Sequence, residues 1–314
     1  MNSPESVIVL TGPTGSGKSG IIHALESSLP VEIVNADSRQ IYKKMSIGTA
    51  APSKEELARF PHHLFAFLDP AEKYSAGDYA RDSLRIINNI LERKKIPLII
   101  GGTFFYIKSL WDGLMEEPDI SKESIEIIES MPLEEVRKQL QIVDETSYNN
   151  IKPSDIYRNK RALLICINGG RPFSVYSRTG GQYDSYNFHS FFIDMPRTLL
   201  YERINKRTQE MFKNGLIEEI SALLAQGYGK QTPALCTIGY QEVLDFCRDA
   251  RITPAQIDEN SREKLIQLIA QKSRNYAKRQ MTWFRNEPRL KTIDHTQAIF
   301  LLSDLIEKIS KACS

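Results

Sequence analysis

The chain has 314 residues, 41% apolar and 25% charged, the composition of an ordinary globular protein with one large domain or a main domain carrying a smaller one. No apolar tract is long enough to span a bilayer, and the start MNSPES lacks a basic signal region, so a cytoplasmic protein is expected rather than a membrane or secreted one. The charge of +2, from 41 basic and 39 acidic residues, confines any nucleic-acid role to local clusters, and cysteines at 166, 236, 247 and 313 form no CxxC pair, which argues against structural zinc and a disulfide framework.

Short apolar runs bounded by turn residues recur at 7–10, 31–35, 64–68, 98–100 and 191–193, each short enough for a buried strand. Helical spacing separates the early ones, at 21–29 and 79–91. This alternation predicts an α/β fold, a parallel sheet flanked by helices, and the glycine-rich string GPTGSGKS after the first run makes it P-loop NTPase-like. From about 119 the chain becomes charged and helical, ending in a Gly-, Ser- and Tyr-rich stretch at 174–187, which predicts a mostly helical insertion domain. The expected organisation is a first core part at 1–118, an insertion at 119–188 and a second core part at 189–314. The last part carries long helices over 199–225 and 261–284. Between 271 and 285 lie Lys272, Arg274, Lys278, Arg279 and Arg285 with no acid, interleaved with Tyr276, Trp283 and Phe284; alone, such a run reads as a solvated helix face.

The chemistry is expected at the strand ends, where open α/β sheets bind ligands. VIVLTGPTGSGKS is a strand, a glycine-rich turn and a helix start. Its residues Gly12, Pro13, Thr14, Gly15, Ser16, Gly17, Lys18 and Ser19 predict a cradle for a diphosphate or triphosphate, with inward amides, the Lys18 charge, and a Ser19 hydroxyl able to hold Mg2+. Asp37 follows 31–35, Gly101, Gly102 and Thr103 follow 98–100, and Asp194 follows 191–193. For Asp37 three roles stay open: ligand to a metal-bound water, general base or helix cap. For Asp194, just before a helix, capping is the expectation. Arg207 falls on the apolar stripe of Leu200, Ile204 and Met211, where a guanidinium needs a carboxylate or phosphate partner; a structural ion pair stays open.

Taken together, GPTGSGKS, NADSRQIYKKMSIGTA, FPHHL, YSAGDYARD, PLIIGGTFFY, DIYRNKRAL, LYERINKRTQEMFKNGLIEE, TIGYQE and RNYAKRQMTWFR resemble, in order, the tRNA dimethylallyltransferase family. The resemblance implies transfer of a dimethylallyl group from its diphosphate to the exocyclic amine of the adenine just 3′ of the anticodon. It implies that Thr14, Lys18, Ser19 and the loop amides hold the donor diphosphate, with Arg207 as a second cationic clamp. Asp37 matches the acid that contacts the adenine amine. Ser38, Arg39, Gln40, Thr103 and the string Tyr157, Arg158, Asn159, Lys160, Arg161 match RNA contacts. With RNA as the partner, Lys278 and Arg279 are expected to meet phosphates, and Trp283 and Phe284 to pack in the core. The implied partners are a tRNA anticodon stem-loop and dimethylallyl diphosphate, with Mg2+ as cofactor, no membrane, and a monomer.

Several positions depart from the family pattern. Met45-Ser46 stands where an acid precedes IGTA, Ala51 replaces a lysine, Phe65-Ala66 replaces an isoleucine and an aspartate, and Phe104 replaces a glycine. The cysteine count leaves no zinc module of the eukaryotic kind, so a bacterial type is expected. Two rivals share the loop: a P-loop kinase of small metabolites, which needs ATP, and a noncatalytic RNA-binding protein switched by a nucleotide, which does not need Asp37.

Overall fold

The computed structural model describes residues 4–312, so the readings made on residues 1–3 and on Cys313 lie outside the described residues. Two compact units are present: Met1–Trp111 with Gln182–Ser314, and Asp112–Gly181. In chain order the strands are β1 (Ser6–Thr11), β2 (Val31–Asn35), β3 (His62–His63), β4 (Ile96–Gly101), β5 (Gly113–Met115), β6 (Arg178–Gly180), β7 (Asn187–Asp194) and β8 (Lys291–Asp294).

In the first unit, six strands form one sheet in the order β3-β2-β4-β1-β7-β8, and every neighbouring pair is parallel. The continuous apolar runs of β1, β2 and β4 follow from burial on both faces. Val7, Val9, Val34, Ile99 and Phe192 point to one face, covered by the helices Ala76–Glu92, Phe104–Asp112, Arg197–Lys213 and Glu259–Arg285. Ile8, Leu10, Ile33, Leu98, Ile100 and Ile193 point to the other, covered by the helices Lys18–Ala24 and Ala298–Ala312. A separate helical core joins Met211, Ile217, Ile220, Tyr240, Val243 and Leu265 to Ile41 and Met45, beside the segment after β2.

Three local expectations are corrected. Residues 64–68 are not a strand: Leu64 and Ala66 take φ of +61° and +43°, and the segment instead donates Ala66 N to Gln40 O (2.9 Å) and Phe67 N to Ile41 O (2.9 Å). The apolar run thus props the chain that follows Asp37, and the strand is the His-His pair before it, with Ile33 opposite His62. The expected helix over 199–225 is two, Arg197–Lys213 and Leu216–Ala225, separated at Asn214 and Gly215, whose φ of +99° no right-handed helix tolerates. Asp194 caps no helix: the capping position is Pro196, and Asp194 pairs with Arg285 at 3.0 Å.

The second unit packs the helices Lys122–Ser130, Leu133–Val143, Glu145–Asn150 and Ile156–Gly169 around Ile128, Val136, Leu140 and Leu163, with β5 and β6 as an antiparallel pair. Cys166, Cys236 and Cys247 are free thiols. Among the described residues no helix is long and apolar enough to cross a membrane.

Candidate active site

The loop at the end of β1 turns tightly, with Ser16 N donating to Pro13 O at 3.1 Å, and enters its helix through Gly15 and Gly17, at φ of +82° and +89°. At those angles a side chain would be strained. Among the described residues the amides of Gly15, Gly17, Lys18 and Ser19 donate to no protein acceptor, which leaves a row of donors at a helix N-terminus, the arrangement that favours an anion. The Lys18 ammonium folds over the loop and donates to Gly12 O (2.8 Å) and Pro13 O (3.0 Å). Burial lowers its pKa to about 8; the Asp37 charge raises it and the Arg207 charge lowers it further.

Thr14 is held from two sides. Its amide donates to Gln280 Oε1 at 2.9 Å, and its hydroxyl accepts from Arg207 Nη1 at 3.1 Å. Arg207 Nη2 donates to Thr49 O at 3.2 Å, and among the described residues the guanidinium forms no ion pair with a carboxylate. Desolvation lowers its pKa and the Asp37 charge raises it. The charge on the apolar stripe is thus aimed at the phosphate loop by a hydroxyl and a carbonyl, without being neutralised.

Asp37 follows β2, where Asn35 Oδ1 accepts from Asp37 N at 2.9 Å. One Asp37 oxygen accepts from Arg39 N at 2.9 Å, a local turn that is no helix cap. Because β4 lies between β2 and β1, the segments after these strands meet. Thr103 N donates to Ala36 O (3.0 Å), and the Thr103 hydroxyl accepts from Ser38 N (2.9 Å). Gln40 Nε2 donates to the carbonyls of Thr49 (3.2 Å) and Ala50 (2.8 Å).

Two cavities of about 400 and 290 Å³ share Thr14, Lys18, Asp37, Thr49 and Arg207 as walls. The first also carries the phosphate loop through Ser19, together with Ile22, Phe60 and Phe65. The second carries Ser38, Arg39, Gly102, Tyr276, Arg279 and Gln280.

Two residues escaped the sequence reading. Gln280 spans the site from the long helix, accepting from Thr14 N and donating to Gly102 O at 2.7 Å. Arg203 lines the first cavity with Nη1 3.5 Å from Ser16 O, and its spacing of four from Arg207 is the signal that placed both on one helix face. Of the five basic residues at 271–285, Lys272 pairs with Glu242 (2.9 Å), Arg274 bonds Asn205 (2.5 Å) and Arg285 pairs with Asp194. Arg279 lines the second cavity beside Tyr276; Lys278 is exposed and lines neither cavity. Phe284 is buried at 1% exposure, whereas Trp283 stays 47% exposed, its ring tilted toward Phe104.

The string 157–161 belongs to the second unit, on the helix Ile156–Gly169. Tyr157 and Arg158 are exposed, Lys160 donates to Glu129 O at 2.6 Å, and Arg161 pairs with Glu117. Asn159 is fully buried: its amide donates to Lys152 O and Asp155 O and its oxygen accepts from Arg137, which leaves no group for RNA.

A parallel sheet with a glycine-rich loop of free amides after its central strand, an acid after the next and a guanidinium aimed at the loop defines a P-loop α/β protein. The family model described as IPP transferase matches residues 40–287. The tRNA dimethylallyltransferase 1 of Citrifermentans bemidjiense is 40% identical over 282 residues, 90% of this chain and 89% of that protein. The tRNA dimethylallyltransferase of Koribacter versatilis is 37% identical over 294 residues, 92% of both. The crystal structure of the full-length tRNA isopentenylpyrophosphate transferase from Bacillus halodurans superposes with a TM-score of 0.69 at 29% identity, covering 98% of each chain. The chain belongs to the tRNA dimethylallyltransferase family of prenyl-transferring enzymes.

Proposed function

We propose that this enzyme transfers the dimethylallyl group of dimethylallyl diphosphate to the exocyclic N6 of the adenosine just 3′ of the anticodon in tRNA, releasing diphosphate. The observation that carries the reading is the shared wall: Asp37, Lys18, Thr14, Thr49 and Arg207 line both a cavity holding the phosphate loop and a second cavity with polar, basic and aromatic walls. The donor occupies the first and the adenine the second, so the allylic carbon and the amine meet beside Asp37.

The adenine amine is a poor nucleophile, because its lone pair is delocalised into the ring. As N6 bonds to the allylic carbon and the carbon–oxygen bond to diphosphate breaks, Asp37 orients the amine and accepts its proton. The departing diphosphate gathers charge, which the loop amides, Lys18 and Arg207 stabilise in fixed positions. Thr14 is part of this grip, since its hydroxyl holds the end of Arg207.

The donor set fits Mg2+: the Ser19 hydroxyl is exposed in the first cavity and has no protein partner among the described residues, and such an ion binds through one protein oxygen, phosphate oxygens and water. Held by Ser19, it would neutralise charge on the leaving group.

The unpaired base of an anticodon loop leaves its stack at small cost, and Ser38, Arg39 and Arg279 line the cavity it enters, with Gln40, Thr103, Tyr157, Arg158, Lys160, Arg161 and Lys278 as further RNA contacts. A monomer in the cytoplasm suffices for this chemistry, since every group assigned to it comes from one chain. The test is mass analysis of an anticodon stem-loop incubated with enzyme, Mg2+ and dimethylallyl diphosphate, without ATP. Gain of one dimethylallyl group is expected; no gain, or a gain that requires ATP, refutes the reading.

A further inference from the structure

Arg207 is aimed at the phosphate loop by the Thr14 hydroxyl and the Thr49 carbonyl, and the second of these anchors is only as definite as the turn that carries Thr49. That turn, the four-residue helix Ser46–Thr49, follows Met45, which supplies no capping side chain. Its first amides are bonded instead by a residue some 170 positions later: Glu219, on the helix Leu216–Ala225, accepts from Ile47 N at 2.9 Å and Gly48 N at 3.1 Å, with Ser46 Oγ at 3.4 Å. The Tyr240 hydroxyl donates to the same carboxylate at 2.6 Å. The buried Tyr240 ring packs directly against the turn, where a Cβ on Gly48 would meet its hydroxyl-bearing end at 2.3 Å. At the far end of the turn, Thr49 O accepts from both Arg207 and Gln40.

We propose that Glu219 is a positioning residue for Arg207, acting through the Ser46–Thr49 turn. This rests on the reading of Arg207 as a clamp on the donor diphosphate. Glu219 lines neither cavity. Its role needs a carboxylate, because every contact described above donates to it. An amide of the same shape has one accepting oxygen and turns an NH2 group toward donors. In Glu219→Gln the turn loses part of its anchoring, Thr49 O drifts, and Arg207 loses its fixed aim.

The experiment measures binding of inorganic diphosphate by calorimetry, together with the KM for dimethylallyl diphosphate and for an anticodon stem-loop. In Glu219→Gln, diphosphate binding weakens about tenfold. The donor KM rises in parallel, while the stem-loop KM stays within about twofold. In an Arg207→Ala background the same substitution changes diphosphate affinity by less than about twofold, because the aim it supports is gone. Tyr240→Phe, which deletes one bond and keeps the ring, weakens binding about threefold and carries the test should Glu219→Gln not fold. Unaltered diphosphate affinity in a folded Glu219→Gln enzyme, or a loss that multiplies with that of Arg207→Ala, overturns the proposal. A wild-type enzyme that binds diphosphate but modifies no stem-loop refutes the proposed function and leaves this readout intact.

Discussion

Replacing Asp37 by asparagine tests the proposed chemistry with little structural cost. The oxygen that accepts from Arg39 N at 2.9 Å has a counterpart in the amide, and the Asn35 contact uses the backbone of residue 37, so the turn after β2 survives. What is lost is the capacity to take a proton. Removing a positioned general base costs about 10² to 10⁴ in rate, or about 3–5 kcal/mol of barrier. Alanine also removes the bond to Arg39 N, worth about 1 kcal/mol, so Asp37→Ala is expected to be roughly fivefold worse than Asp37→Asn. The assay is single-turnover transfer to a labelled stem-loop with saturating donor, alongside direct stem-loop binding. Binding should hold in both variants, since neither removes a cation that meets phosphate. An Asp37→Asn enzyme within about tenfold of wild type in the chemical step would refute Asp37 as the base.

Arg207→Ala is expected to lower transfer by about 10² to 10³ and raise the donor KM while the stem-loop KM stays nearly constant; an equal loss in both, or a collapse of folding, would mark Arg207 as structural. Gln280→Leu strands Thr14 N and Gly102 O, each costing about 1–3 kcal/mol, so urea unfolding should show a clear loss of stability and donor kinetics a raised KM; stability within about 0.5 kcal/mol of wild type would contradict the strut. The Lys18 pKa of about 8 predicts that donor kcat/KM falls as pH rises through that value in the free enzyme, a limb that Lys18→Arg lacks. Folding responds with the opposite sign: between about 8 and 10.5 the unfolded chain holds the Lys18 proton and the folded one has released it, so this group's contribution makes stability rise with pH across that window, as unfolding titrations can check.

What could be read from the sequence was what is local. A strand, a glycine-rich turn and a helix start occupy one unbroken string, so the loop at 12–19 was legible, and Arg207 announced itself as a charge on an apolar stripe. Its partners did not, because they are a hydroxyl and a carbonyl whose positions depend on the sheet order and on a distant glutamate. Residues 64–68 misled because an apolar run carries no sign of its backbone angles: two residues at positive φ make it a prop, and the pairing falls to the histidines before it. Trp283 was assigned to the core on its aromatic character, yet its place on the helix leaves it half-exposed beside the buried Phe284.

Strand order explains the largest omission. The residues after β1, β2 and β4 were each recognised as rim residues, but nothing in the chain says that β4 lies between β2 and β1. Only that order sets Thr103 against Ser38, and only that order lets one side chain, Gln280, accept from Thr14 and donate to Gly102. A neutral amide within a basic run has no distinguishing feature in sequence. In the fold it ties the loop after β1 to the loop after β4, and so holds Thr14, the partner of Arg207, in register with the rim that carries Asp37. The catalytic geometry thus depends on an uncharged residue, and Gln280→Glu sharpens the point. That change turns a carboxylate oxygen toward the Gly102 carbonyl, two acceptors with no proton between them, so it should impair donor binding at least as much as leucine does while leaving the basic face of the helix unaltered.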